Sequence, residues 1–129
     1  KMDREKLLDL YKKYELEKTD VYKHQHYVII TRQGIEKIAA KENIAISYEV
    51  VKCEPNFAVV KAYAKKEEVQ IETFGSALKG ANYKDGNCNS WYVMEMAEKR
   101  ALSRSVLKLT GFYELGVFGE DESDDFKRK

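Results

Sequence analysis

Cysteine and proline are scarce in this chain of 129 residues, which has two cysteines and one proline. Cys53 and Cys88 are too few and too far apart to predict a disulfide framework. No apolar run is long enough for a signal peptide or a membrane span. We therefore expect a cytoplasmic protein with no membrane partner.

The sequence also lacks the usual signatures of catalysis. It has no glycine-rich phosphate loop and no carboxylate pair, and the serine that follows Gly75 is not in a nucleophile elbow. His24 and His26 do not combine with the cysteines in any spacing typical of a metal site. The prediction is a protein that is not an enzyme and holds no metal or cofactor.

A strong excess of one charge is absent as well, since the formal net charge is +1. Residues 119–129 contain five acids and three bases, so the chain before them carries +3. That balance excludes a strongly basic coat that would bind nucleic acid everywhere. Any nucleic-acid site has to come from local clustering of cations.

The length and the hydrophobic periodicity predict one α+β domain. We expect an N-terminal amphipathic helix within residues 1–20, which could dock on its own domain or on a neighbouring subunit, then a domain at 21–118 and an acidic disordered tail at 119–129. The domain is predicted to hold a three-stranded antiparallel meander flanked by helices in the order α-β-β-β-α. The predicted elements are a short strand at Tyr27–Ile30, a helix at 32–42, strands at 44–53, 57–64 and 69–74, a loop at 75–90 and a long helix at 91–111.

The middle strand of the meander alternates two kinds of residue. Small apolar residues occupy one face, which suits the packing of helices, whereas Lys61 and Tyr63 belong to an aromatic and basic face. That second face suits either solvent or a ligand.

The long helix carries cations at helical spacing, because Arg100, Arg104 and Lys108 fall within a sector of roughly 80°. Small residues beside this sector, Ala97 and Ala101 among them, predict that the helix lies close to a sheet. Gly111 is expected to end it in a left-handed conformation. A basic face of this kind is either solvated or functional, and three charges alone do not decide between the two.

Aromatic residues are interleaved with cations before this helix. The predicted loop has Lys79, Tyr83 and Lys84 and leads to Trp91, while Lys99 follows on the helix. Cations neutralise phosphates and aromatic rings stack bases, which is the combination that single-stranded nucleic acid requires. Alternatively, Tyr83, Trp91 and Tyr92 cover an edge of the core.

The order of elements and the run Ala97-Glu-Lys-Arg-Ala-Leu-Ser-Arg104 resemble the single-strand annealing superfamily. It includes the phage recombination proteins Sak, Erf and Redβ and the ring-forming annealing mediator of eukaryotes. Within it the chain looks most like small proteins of phages that infect Bacteroidetes-type bacteria. The resemblance covers about residues 21–118.

The resemblance implies a single-stranded DNA-binding protein that acts in recombination, strand annealing or strand protection without ATP. It also implies a homo-oligomer, either a ring or a filament. Carried onto this sequence, the DNA-binding positions are Arg104, Lys108 and Arg100 on the last helix. Lys61 and Lys65 are candidates for the facing wall of the groove.

Other functions stay open. The α-β-β-β-α order is also that of double-stranded RNA-binding domains, which place a helix N-terminus across phosphates. A non-nucleic-acid oligomeric scaffold would leave the arginines solvated. The tail, with Asp124, Asp125 and Phe126, resembles tails that recruit repair or replication proteins, although a solubilising role is the commoner one.

Overall fold

The computed structural model describes residues 3–82, 85–88 and 91–122. The predicted α+β class is confirmed, with a three-stranded antiparallel sheet flanked by helices. In chain order the elements are α1 Arg4–Lys13, β1 Val21–His24, β2 Tyr27–Ile30, α2 Arg32–Lys41, β3 Ala45–Glu54, β4 Phe57–Lys66, β5 Val69–Leu78, α3 Val93–Leu109, a 3₁₀ turn Tyr113–Leu115, β6 Val117–Gly119 and a second 3₁₀ turn Glu120–Glu122.

The meander has the order β3-β4-β5 and is built from two hairpins. The alternation predicted for β4 is confirmed, because every second residue from Ala58 to Ala64 is buried. Helix α3 packs on this buried face of β4 and β5. A row of small side chains thus lets one long helix cover two strands.

The close approach of α3 to the sheet centres on Gly75. A Cβ atom at Gly75 would lie 2.1 Å from the carbonyl oxygen of Ala97 and 2.6 Å from the amide nitrogen of Ala101. Ala97 and Ala101 are fully buried, as the prediction of a close helix requires. The hydroxyl of Thr73 also donates to the carbonyl of Ala101 at 2.9 Å, so backbone and side chain both hold α3 here.

The predicted end of the third strand at residue 74 is wrong, because β5 continues to Leu78. Gly75 is normally a loop signal in a sequence. Here it stands in mid-strand, where the absence of a side chain makes room for the backbone of α3.

A second sheet, with the order β1-β2-β6, was not predicted. Of its three strands, the sequence predicts only β2. In the structure β1 pairs antiparallel with β2, and β6 pairs parallel with β2 across almost ninety positions of sequence. Strands of three or four residues carry too little periodicity to predict such a pairing.

The helix ends follow signals that are local in the sequence. Asp3 caps α1 by accepting from the amide of Lys6, and Thr31 caps α2 by accepting from the amide of Gly34. Gly111 follows α3 with a φ of 85°, the left-handed conformation expected there.

Helix α1 docks on its own domain, which resolves the alternative left open by the sequence. Leu7 and Tyr14 are buried in one apolar cluster with Ile35, Val106 and Phe112. The Tyr14 hydroxyl donates to Glu42 at the end of α2. The N-terminal helix is therefore part of the core that joins the two sheets.

The folded part extends further than residue 118, so the predicted start of the tail at 119 is corrected. Gly119 of β6 pairs with Ile30 of β2, and Glu122 is fully buried. The amide of Arg32 donates to the Glu120 carboxylate at 2.8 Å, which ties this turn to the start of α2. The rest of the predicted tail lies outside the described residues. Among the residues described, no helix is long and apolar enough to cross a membrane.

A buried carboxylate links β1 to α2. Asp20 is fully buried and accepts hydrogen bonds from the Lys37 ammonium at 2.6 Å, the Gln33 amide and the backbone amide of Glu17. Burial acts to raise the pKa of Asp20, but these three hydrogen bonds outweigh it and hold that pKa below its ordinary value.

Substituting Gly75 by alanine tests the helix contact. We expect Gly75→Ala to lower the free energy of unfolding by about 3 kcal/mol, because the new methyl group collides with backbone atoms that cannot rotate away. Urea unfolding followed by circular dichroism measures it. Gln70→Ala, an exposed change on the same strand, should stay within about 0.5 kcal/mol of the parent. Equal stability of the two variants would show that α3 does not touch Gly75.

Asp20→Asn tests the buried carboxylate through pH. Because the pKa of Asp20 is depressed by folding, its stabilisation is complete above the unfolded pKa of about 3.9 and is lost as pH falls through the lower folded value. The variant should be less stable than the parent at pH 7. This gap, the difference between their free energies of unfolding, should shrink below about pH 4. Urea unfolding at several pH values measures the gap. A gap that stays constant down to pH 3 would contradict the assignment.

Candidate nucleic-acid interface

The three cations of the basic face predicted for α3 differ in burial and in their contacts. Arg100 is 4% exposed, and its guanidinium donates to three backbone carbonyls, those of Ser76 at 2.7 Å, Asn87 at 2.6 Å and Asp121 at 2.9 Å. This arginine therefore joins α3 to β5, to the loop and to the second 3₁₀ turn. The expectation that Arg100 contacts phosphate is corrected, because its donors point into the protein.

Arg104 lies one helical turn further on and is half-buried. One of its nitrogens donates to the carbonyl of Phe74 at 3.0 Å. Four residues of α-helix advance about 6 Å and two residues of a strand about 6.6 Å. The i, i+4 spacing of Arg100 and Arg104 thus matches the carbonyls of Ser76 and Phe74 at the outer edge of β5, and only Arg104 reaches the surface.

Lys108 is exposed at the far end of α3, where its ammonium lies 5.5 Å from the ring centroid of Tyr113. The rise of an α-helix puts it roughly 22 Å from Val93, at the first turn. Lys99 is half-buried and lies close enough to Asp121 to act on that carboxyl. The structure does not bring Lys99 and Lys108 into one cluster with the aromatic residues before the helix.

Trp91 is the most exposed large apolar residue among those described, with 80% of its surface accessible. The ammonium of Lys79 lies 4.8 Å from the centroid of its ring. Tyr92 beside it is 69% exposed. The pairing of a loop cation with Trp91 that the sequence suggested is present, and Trp91 does not cover the core. Tyr83 and Lys84 lie outside the described residues.

The position of Lys79 is fixed by contacts at the end of β5. Asn87 accepts from the amide of Leu78 at 2.7 Å through its side chain, and the amide of Gly80 donates to the carbonyl of Cys88 at 2.8 Å. Lys79 and Cys88 form an isolated parallel bridge. Residues 85–88 therefore run beside the end of β5, which holds Lys79 next to the start of α3.

A second cation and aromatic group lies on the sheet face opposite α3. Lys61 pairs with Phe74 across β4 and β5, and its ammonium is 5.6 Å from the Phe74 centroid and 5.0 Å from that of Tyr63. Glu72 accepts from Lys61 at 2.9 Å, and this hydrogen bond raises the pKa of Lys61. Lys61 stays charged, but Glu72 neutralises much of its field.

These residues border the outer edge of β5, and we call them together the β5 surface. Phe74 and Leu78 are 46% and 38% exposed on the face opposite α3, whereas Lys79, the next residue, alternates to the side of α3, where Trp91 lies. From Phe74 to Lys79 the strand spans roughly 17 Å. The members of the β5 surface are Lys61, Phe74, Leu78, Lys79, Trp91 and Arg104.

Lys65 is exposed near the β4-β5 turn, about 13 Å along β4 from Lys61, and lies beyond the β5 surface. Phe74 and Leu78 are the members that sequence reasoning missed. The alternation of Phe74 with the buried Thr73 places it on the face of Lys61, a signal that the strand pattern already carried.

The interface contains no sign of a metal centre. Among the residues described there is no group of three or more histidine, cysteine or acidic side chains that could hold an ion. Cys53 is exposed and Cys88 is buried, and no disulfide joins them.

No family model, curated protein or solved structure matches the chain.

The Arg100→Lys variant tests whether Arg100 stabilises the fold or binds phosphate. A lysine ammonium cannot reach three carbonyls on three segments, so we expect unfolding to become easier by about 2 kcal/mol. Urea unfolding gives the value, with Lys108→Ala, an exposed change on the same helix, expected within about 0.5 kcal/mol of the parent. Unchanged stability of Arg100→Lys together with weaker DNA binding would return Arg100 to the interface.

Proposed function

We propose that this protein binds single-stranded DNA along the β5 surface. The observation that carries the proposal is Trp91, an aromatic ring that is 80% exposed and has a lysine ammonium 4.8 Å from its centroid. Folding gains little from a side chain that remains so accessible. An exposed ring beside a cation suits a base that stacks on the ring while its phosphate meets the lysine.

The shape of the β5 surface favours a single strand over a duplex. Trp91 and Phe74 offer ring faces, and a base can use them only when it is not stacked and paired inside a duplex. The roughly 17 Å from Phe74 to Lys79 equals about five nucleotides at the 3.4 Å spacing of a stacked strand. Arg104 and Lys61 lie beside this path and supply further positive charge.

The charge of the surface predicts a modest dependence on salt. Three cations, Lys61, Lys79 and Arg104, border the path, and Lys61 is shared with Glu72. Three phosphate contacts correspond to a slope of log affinity against log salt of about −2 for a single strand. Stacking, rather than a strongly basic groove, then supplies much of the affinity.

The biological role that we attach to this binding is recombination, strand annealing or strand protection of the phage type. It rests on the resemblance of residues 21–118 to annealing proteins, in which a homo-oligomer holds the strand. A double-stranded RNA-binding function and a scaffold without nucleic acid are the alternatives, and the binding experiment distinguishes all three.

The test is fluorescence anisotropy of a labelled oligothymidine, with duplex DNA and double-stranded RNA as competitors. We expect Trp91→Ala to weaken single-strand binding about 10-fold, because base stacking on an aromatic residue contributes roughly 1–3 kcal/mol. Lys79→Ala should weaken binding less and reduce the salt slope by about 0.7. Lys12→Ala removes an exposed lysine of α1 and should bind as the parent does.

Each other result points to a definite alternative. Parent-like binding by both Trp91→Ala and Lys79→Ala would remove the β5 surface from the site. Preference for double-stranded RNA would favour the RNA-binding function. No binding to any of the three nucleic acids at low salt would favour a scaffold that binds no nucleic acid.

A further inference from the structure

The two edges of the meander differ in what occupies them. At the β5 edge, the carbonyls of Phe74 and Ser76 accept from Arg104 and Arg100, and Leu78 is hydrogen-bonded to Asn87. At the β3 edge, nine of the ten residues from Ala45 to Glu54 are exposed and the tenth is half-buried. An edge strand that leaves its peptide groups open is a template for another strand.

The β3 edge also exposes apolar side chains. Tyr48, Val50 and Val51 are 38%, 57% and 54% exposed, side by side in the middle of the strand. Natural sheets usually protect such an edge with a proline, a short strand, charged side chains or a β-bulge. The middle of β3 has no proline, and its nearest charges, Glu49 and Lys52, are of opposite sign, but it does contain a bulge.

A β-bulge defines which side chains of β3 share a face. The pairing with β4 shifts between Val50 and Lys52, so Val51 is the extra residue. Before the shift, Glu49 pairs with Lys61 on the open face of the sheet, and after it Lys52 pairs with Val59 on that same face. Glu49 and Lys52 thus share a face although their separation of three residues would oppose them in a regular strand.

The bulge has the same effect on the side chains of β3 that lie on the sheet face towards α3. Tyr48 pairs with Ala62 and Cys53 pairs with Ala58, two residues that are buried under α3. Tyr48 and Cys53, five positions apart, therefore lie on the same side of the sheet.

These placements fit one antiparallel register between two copies of β3. With the two-fold axis between Val50 and Val51, Glu49 of each copy stands opposite Lys52 of the other. Tyr48 likewise stands opposite Cys53, and Val50 opposite Val51. The Glu49–Lys52 and Tyr48–Cys53 pairs match in face, and the charged pair is also of opposite sign and occurs twice.

We propose that a second copy of this chain docks on the β3 edge in this register, which makes a six-stranded antiparallel sheet across a two-fold axis. The two-fold contact closes a dimer, and the proposal does not depend on DNA binding. It leaves the β5 surfaces at the two outer edges of the combined sheet.

Charge reversal tests the register. In Glu49→Lys each new lysine faces Lys52 of the other copy, and in Lys52→Glu each new acid faces Glu49. We expect either change to raise the dimer dissociation constant about 10-fold or more, because two like-charge contacts form per dimer. The double variant E49K/K52E restores both pairs and should dimerise as the parent does. Sedimentation velocity over a range of concentrations measures all four proteins.

Glu72→Lys is the matched control, since it reverses the charge of an exposed acid on β5, the opposite edge, and should dimerise like the parent. Circular dichroism confirms that each variant is folded. A parent that stays monomeric at every concentration would overturn the proposal. So would single variants that dimerise unchanged, or a folded double variant that fails to dimerise.

Discussion

The contact between the backbone of α3 and Gly75 is the constraint on which the rest of the structure depends. With no side chain at Gly75, the peptide groups of Ala97 and Ala101 lie directly against β5. That closeness lets Arg100 reach the carbonyl of Ser76 and Arg104 that of Phe74. It also starts α3 beside Lys79, so the exposed position of Trp91 follows from the same packing.

The arginines of α3 show how one sequence pattern can serve two purposes. Cations at i, i+4 predict a basic helix face, yet here their spacing matches alternate carbonyls of an edge strand. Arg100 is buried by its contacts with these carbonyls, whereas Arg104 stays partly exposed to solvent. The β5 edge of the meander is thereby occupied, and the β3 edge is where we propose that a second copy pairs.

The elements that the sequence predicts well are those with long local periodicity or clear caps. The alternation of β4, the caps Asp3 and Thr31 and the end of α3 at Gly111 are all local signals. The second sheet could not be predicted, because β6 is short and pairs with β2 far away in sequence. The burial of Arg100 also depends on long-range geometry, since its carbonyl partners belong to three other segments.

Trp91 is the single tryptophan of the chain, so its intrinsic fluorescence reports on the proposed stacking without a label. The most direct measurement is a titration of the parent protein with oligothymidine at low salt, followed by tryptophan emission. Stacking of bases on Trp91 predicts a saturable quench that added salt reverses. Unchanged emission under conditions where anisotropy shows the complex has formed would contradict it, because the strand would then bind without touching Trp91.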